Sequence, residues 1–575
     1  VDDDGSVPEP GVTQSIAEVH AQLTAPGQPF EIDTTEIRGV PTRVWKHAPA
    51  SLPTILDQSR AHGELDFLVY DDERWTFERH FRAAAQVAVA LRDRYGVRPG
   101  DRVAVAMRNL PEWSVAFWGA AAAGAVVVPL NAWWTGPELA YGLRDSGTTV
   151  AFLDGPRLER LTPELAALPD VRVVLARDDG DERTARFEEL LDGHRPEVEL
   201  PVVDVAPEDE ATIFYTSGTT GFPKGVLGTH RNICTNLMSL GFVAVRGTLR
   251  TQRPEPDRPT PSVRSVSLLS VPFFHATGCH SVLVANLAAG NELVLMRRWD
   301  AGRALELIEQ ERVTTFGGVP AMVWQVLEHP DFERRDLSSL RVVAYGGAPA
   351  APELVRAIEE RFPGRTPSNG YGLTETSSVT TMNVGPDYVA RPDSVGVPVP
   401  VCDVQVVDAL GRPLPVGEVG ELWIKGPNVV KGYWNQPEES EATFTDGWLH
   451  SGDLARIDDD GFVYIVDRAK DLVIRGGENI SSVEVEAALF EHPAVTDAAV
   501  VGIPHPVLGE EVGAVVHTAP GTTVTADELR RHVGARLAAF KVPVRIWFSE
   551  EPLPRNPAGK ILKRELKQGL LDGNG

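Results

Sequence analysis

A chain of 575 residues, 42% of them hydrophobic, carries enough apolar material for more than one buried core, which excludes a disordered protein. Its formal charge of -26 and isoelectric point of about 5.0 repel nucleic acid and anionic membrane surfaces, although backbone N–H groups and a few lysines can still hold a nucleotide at contact distance. Cys234, Cys279 and Cys402 are too far apart for a zinc or disulfide framework, so a reducing, cytoplasmic setting is expected.

The opening VDDDGSVPEPG is acidic and lacks the basic flank and apolar core of a secretory signal, so residues 1–40 read as a loose tail and lead-in. Residues 77–95 place apolar side chains at helical spacing, and 102–107 read as a strand. The longest apolar run, 115–130, is Ala/Gly-rich and shorter than the roughly 18–20 residues that cross a bilayer, which makes it a core element. Residues 138–143 read as helix and 150–154 as strand, and this recurrence predicts an α/β fold with a largely parallel sheet covered by helices. The Pro- and Arg-rich stretch 247–264 is expected as a surface insertion loop. After Asp467 come short strands and two helices opened by Ser481 with Glu484 and Thr525 with Glu528. A domain boundary is therefore expected near 468–471.

The strongest local signal is YTSGTTGFPKG at 215–225, between the strand-like 211–214 and the apolar pair Val226 and Leu227. Gly218, Gly221 and Gly225 let backbone bend closely around an anion, Ser217, Thr219 and Thr220 add hydroxyls, and Lys224 adds charge. This composition reads as a phosphate loop. It departs from the Walker pattern, because Lys224 lies three residues after Gly221 and precedes Gly225 instead of Ser or Thr. The competing reading, a plain surface turn, leaves the hydroxyls beside a lysine without a purpose.

The loop resembles the signature of the adenylate-forming superfamily, which includes acyl-CoA synthetases, coumarate-CoA ligase-like enzymes, firefly luciferases and peptide-synthetase adenylation domains. The resemblance continues in family order through PFFHATG (272–278), YGGAP (345–349), NGYGLTET (369–376), SGD (451–453), YIVDR (464–468) and PRNPAGK (554–560). It implies a large N-terminal adenylation domain (41–468) of α/β sheets covered by helices, and a small mobile α+β C-terminal lid (469–575). It also implies an acid–thiol ligase that uses ATP, Mg²⁺ and CoA. Acid and ATP would give acyl-AMP and pyrophosphate, and acyl-AMP and CoA would then give acyl-CoA and AMP.

On that resemblance Thr216, Ser217, Gly218, Thr219, Thr220, Gly221 and Lys224 bind ATP, and Gly347, Ala348, Pro349, Asn369, Gly370 and Gly372 shape the nucleotide site. Tyr371 would stack on adenine, a task suited to an aromatic face between two glycines. Thr374 would contact the α-phosphate or the acid, and Glu375 would hold Mg²⁺, a hard ion that prefers oxygen ligands. Asp453 would accept from the ribose hydroxyls with Arg468 reaching the same sugar. His275 would gate the phosphates and acyl pocket. Lys560 would stabilise the charge spreading over the α-phosphoryl oxygens in the adenylation transition state, whereas Lys563 and Lys567 read as solvated. Lys470 would be the hinge, and Gly476 and Gly477 would let the pantetheine arm of CoA pass close to backbone. Structural readings compete throughout: Tyr371 as a core tyrosine, Glu375 and Asp453 as solvated or turn carboxylates, and Gly476-Gly477 as a turn between strands.

Family members line the acyl pocket near 274–281, 316–320, 345–348 and 372–381, stretches with few charges and the small pairs Gly317-Gly318 and Gly346-Gly347. A medium- to long-chain fatty acid or a bulky hydrophobic acid is expected first, an aryl acid second. A carrier-protein-loading acyl-AMP ligase, a luciferase-like oxidation and a specialist in thioester transfer from ready-made acyl-adenylate share these motifs, although the short stretch after Lys560 favours a stand-alone ligase. Expected partners are the acid, ATP and CoA, with no nucleic acid and no membrane span; a homodimer is compatible with the sequence.

Overall fold

Apolar runs and helical patterns alternate along the chain, and in the computed structural model they form two mixed sheets around a shared core. The described residues are 14–180, 184–191, 198–216, 223–251, 264–347, 352–476, 478–519, 521–556 and 559–571. One sheet runs Gly432–Tyr433, Lys224–Thr229, Glu210–Thr216, Val126–Pro129, Arg102–Ala106, Thr148–Asp154, Arg172–Ala176, Thr184–Arg186. The other runs Val397–Pro398, Thr381–Val384, Thr366–Tyr371, Val342–Gly346, Thr315–Gly318, Val266–Leu269, Glu292–Leu295, Asp66–Tyr70, Glu73–Thr76. Their central strands pair in parallel and are buried, as strands covered on both faces should be.

The helix Phe77–Asp93, opened by the Thr76 side chain accepting from the Arg79 N–H, follows the 77–95 pattern. It packs on Pro111–Ala122, a mostly apolar helix whose residues are all buried. The 115–130 run is thus a core helix leading into Val126–Pro129, and among the described residues no helix is long and apolar enough to cross a membrane. Within the lead-in, Ser15 and Glu18 form a capping box that opens Ile16–Thr24, whose Val19 and Leu23 pack with Phe242 and Val243 of the helix His230–Thr251. The opening residues 1–13 lie outside the described residues.

That long helix corrects the insertion at 247–264: residues 247–251 are its last turn. Arg246 and Arg250, one turn apart, lie buried and hydrogen-bonded, Arg246 to the Met382 carbonyl (2.8 Å) and Arg250 to the Gln14 carbonyl (2.7 Å) and to Asp387. These anchored arginines hold the helix through Thr251, and 252–263 lie outside the described residues.

A third sheet of Asp403–Val407, Gly420–Lys425, Trp448–Ile457, Phe444–Thr445 and Val463–Arg468 closes the large domain. Beyond it, Val473–Arg475, Glu478–Ile480, Val495–His505, Gly509–Thr518 and Arg545–Ser549 form a separate sheet. With the helices Ser482–Phe490 and Ala526–Gly534 it encloses its own core, from Val473 to Ile546. Both helices start as the sequence suggests: Ser481 accepts from the Glu484 N–H, and Thr525 and Glu528 make a full capping box. Lys563 and Lys567 are half-buried and paired, not free in solvent. Lys563 pairs with Glu486 (2.6 Å) and donates to Ser482 Oγ (2.7 Å), while Lys567 pairs with Glu510 (2.8 Å), because their helix Lys563–Leu571 packs back on this domain.

Candidate active site

Parallel strands deliver their carboxyl ends to one edge of a sheet, where α/β folds place their ligands. Gly346 and Gly370 are register partners at such ends, and a Cβ on Gly346 would lie 2.5 Å from the Gly370 carbonyl oxygen. The chain leaves these strands through Gly347, whose φ of 76° suits glycine, and through Tyr371. Asn369 is buried within its strand. Gly372 tolerates no side chain, since a Cβ would meet the Ser378 carbonyl oxygen at 1.5 Å. Thr374 opens the short turn Thr374–Thr376, pinned by the Leu373 N–H donating to Thr376 Oγ1 (2.8 Å).

Asp453 and Arg468 are cross-strand partners in the third sheet. Asp453 is buried, accepts the Tyr371 hydroxyl at Oδ2 (2.7 Å) and pairs through Oδ1 with Arg468 Nε (2.7 Å). Burial, then Asp453, pushes the Tyr371 hydroxyl well above its ordinary pKa, so it stays a donor. Burial works against the Arg468 charge, but Asp453, Tyr371, Glu375 and Asp471 outweigh it and raise its pKa.

Lys560 reaches this cluster from the small domain. Burial first, and Arg468 next, lower its ammonium pKa to about 8, with Asp453 and Asp471 acting the other way. Its loop abuts the large domain: Gly559 has a φ of 80°, and a Cβ there would lie 2.3 Å from Val319 Cγ2. Lys470 is exposed in the turn between the two domains, after Arg468.

Glu375 accepts the Tyr433 hydroxyl at Oε1 (2.9 Å), and its other oxygen takes no hydrogen bond among the described residues. Thr216 and Lys224 are register partners where the hairpin of the 215–225 motif opens; Ser217, Gly218, Thr219, Thr220 and Gly221 lie outside the described residues, as do Ala348, Pro349 and Gly477. Lys224 is buried, paired with Glu439, and sits 5.5 Å from the centre of the Tyr433 ring. His275 packs on Phe274; burial pushes its imidazole pKa down to about 4, and Nε2 has no partner among the described residues. The π-helical stretch Thr277–Val284 follows it, a form frequent at functional sites. Gly476 stands apart, in the hairpin turn between Val473–Arg475 and Glu478–Ile480, with its N–H on the Leu508 carbonyl (2.8 Å).

The family model described as AMP-binding enzyme matches residues 56–434, and that described as AMP-binding enzyme C-terminal domain matches 484–560. The chain belongs to the AMP-binding enzymes of the adenylate-forming superfamily. A feruloyl-CoA synthase of Amycolatopsis sp is 37% identical to this AMP-binding enzyme over 493 residues, 86% of this chain and 93% of the relative. A long-chain-fatty-acid–CoA ligase of Bacillus subtilis is 33% identical over 552 residues, 90% of this chain and 94% of the relative. The crystal structure of the anthranilate CoA ligase AuaEII with anthranoyl-AMP superposes with a TM-score of 0.82 at 27% identity, covering 91% of this chain and 98% of that one.

Tyr433 and Glu439 carry no sequence signal, because each meets its partner across a fold contact that no local spacing encodes. Asp471, which acts on Arg468, had a weak cue in lying three residues beyond it.

Proposed function

We propose that this chain is an ATP-dependent acid–CoA ligase that forms an acyl-adenylate and passes its acyl group to CoA. The carrying observation is the cluster of Tyr371, Asp453 and Arg468 in the large domain, with Lys560 of the small one near enough to feel the charges of Arg468 and Asp453. In this reading Tyr371 and Asp453 hold the nucleoside, Arg468 fixes Asp453, and the Lys560 ammonium stabilises charge at the phosphoryl group under attack by the carboxylate. Thr216, Lys224 and the loop between them serve the triphosphate, Thr374 the reacting groups, and His275, neutral at pH 7, the gate to the acyl pocket. Lys470 is the pivot that exchanges Lys560 for the Gly476-Gly477 turn in the thioester half, and the boundary between domains falls at 468–471.

Magnesium suits Glu375, whose second oxygen is open; Mg²⁺ is ordinarily held by one or two carboxylates together with substrate phosphates, not by a protein cage. When bound it would offset triphosphate charge.

For the acid, we place an aryl acid of the hydroxycinnamate type first and a medium- to long-chain fatty acid second, reversing the order read from the sequence. The wall at 274–281 and 372–381 is less apolar than its composition suggests: Ser281 Oγ donates to Ser378 Oγ (2.7 Å), and Ser377 Oγ is buried without a partner among the described residues. Such hydroxyls suit oxygen substituents on a ring, and the feruloyl-CoA synthase resemblance supports the same reading. The test is ATP- and CoA-dependent turnover over ferulate, benzoates and fatty acids of graded length, with pyrophosphate and thioester recorded separately. Both products with ferulate are expected; both products with palmitate and none with ferulate would reverse the order, and pyrophosphate without thioester would point to another acceptor.

A further inference from the structure

We propose that Arg555 and Asp497 are positioning residues for Lys560, fixing the loop that carries its ammonium and so serving the adenylation half-reaction without touching substrate. This rests on the reading that Lys560 acts in adenylation.

The Arg555 guanidinium spans two groups. Its Nη2 donates to both carboxylate oxygens of Asp497 (2.7 and 2.8 Å), and its Nη1 donates to the Gly559 carbonyl (2.7 Å). Asp497 lies on the strand Val495–His505 of the small domain's sheet, is 7% exposed, and is fixed in turn by the Ala498 N–H (3.1 Å). The loop closes on itself, with the Asn556 N–H on the Lys560 carbonyl (2.8 Å), the Lys560 N–H on Asn556 Oδ1 (2.9 Å) and a bridge between Arg555 and Ile561. Gly559 is the residue before Lys560 and is pressed against Val319 of the large domain. Its carbonyl is therefore the point at which the small domain's sheet sets the direction of the lysine. A planar guanidinium can grip a carboxylate with one edge and a carbonyl with the other, whereas an ammonium cannot hold both in fixed geometry.

Asp497 and Arg555 belong to the same domain as Lys560 and travel with it. Their loss should misplace the ammonium during adenylation and leave thioester formation, which does not use Lys560, nearly intact. Misplacement of about 1 Å at a reacting group can lower a rate about a hundredfold.

The experiment compares the full chain with Arg555→Gln, Arg555→Lys, Asp497→Asn, the double variant Arg555→Gln/Asp497→Asn, and Lys560→Ala as reference. Pyrophosphate release is measured with ferulate and ATP without CoA, and thioester formation with supplied feruloyl-adenylate and CoA; palmitate and its adenylate replace these if ferulate gives no turnover. Pyrophosphate release should fall about 10- to 100-fold in Arg555→Gln and Asp497→Asn, partly recover in Arg555→Lys, and fall no further in the double variant, while thioester formation changes less than about twofold. Equal losses in both halves would mean that the pair only supports the fold, and full pyrophosphate release in Arg555→Gln would also overturn the proposal. Retained adenylation in Lys560→Ala would instead refute the reading of the site itself.

Discussion

Lys224 and Glu439 form an ion pair in which the lysine side chain is only 9% exposed and the carboxylate 43% exposed. The Tyr433 ring beneath that ammonium donates its hydroxyl to Glu375. One connected set of contacts therefore runs from the motif lysine to the carboxylate proposed for Mg²⁺. A triphosphate that takes Lys224 must displace Glu439, so Glu439→Gln should lower the KM for ATP, roughly tenfold or more for one charged hydrogen bond, with kcat less affected. ATP titration of pyrophosphate release reads this directly, and an unchanged KM would separate Lys224 from the phosphates.

In the proposed role of Lys560, its ammonium, brought to about pKa 8 by burial, Arg468 and Lys470 against the pull of Asp453 and Asp471, would give adenylation an alkaline limit. Transition-state stabilisation needs the charged form, so kcat/KM for pyrophosphate release should fall as pH rises through about 8, reporting the free enzyme. In Lys560→Arg the charge persists and the limb should move beyond about pH 10 at reduced rate. A limb that stays near 8 in that variant would belong to another group.

Gly317 and Gly347 predict opposite outcomes for the same substitution. A Cβ on Gly317 would lie 1.6 Å from the Ala344 carbonyl oxygen of the neighbouring strand, and Gly317→Ala should prevent the folded protein from accumulating. A Cβ on Gly347 would meet nothing within 4 Å among the described residues, so Gly347→Ala carries the left-handed backbone penalty, about 1–2 kcal/mol. Soluble yield and denaturant midpoints compare the two.

Lys563 and Lys567 should also part company. Lys563→Met strips the partner from Glu486, whose carboxyl pKa burial already raises, and should destabilise the small domain by about 3 kcal/mol. Lys567 and Glu510 are more exposed, at 36% and 27%, and Lys567→Met should change less than about 1 kcal/mol. Hydrogen exchange along Val495–His505 resolves both.

Where a motif coincides with a local backbone requirement, the chain could be read directly. Gly346 and Gly372 sit at strand ends that admit no side chain, and Thr525 with Glu528 spells out a helix start in neighbouring letters. The repeating strand and helix patterns from 77 to 154 likewise became the elements they suggested. What stayed hidden depends on contacts between distant segments. The stretch 247–251 is helical because Arg250 finds Asp387, and Lys563 is half-buried because Glu486 lies under it. Glu439 carries no mark that distinguishes it from Glu438 or Glu441 until the fold sets it on Lys224.

The joint between the domains has a consequence for turnover. Ser482 donates its N–H and hydroxyl to Asp467, Ser481 Oγ donates to the Val466 carbonyl, and the Ala469 N–H donates to the Gly452 carbonyl. A swing about Lys470 has to part the bonds from Ser481 and Ser482, since their partners stand on opposite sides of the turn. In the proposed swing the small domain would behave as a detent, resting firmly until several bonds release together, and the tempo of the catalytic cycle would be set by that click and not by the chemistry on either side of it.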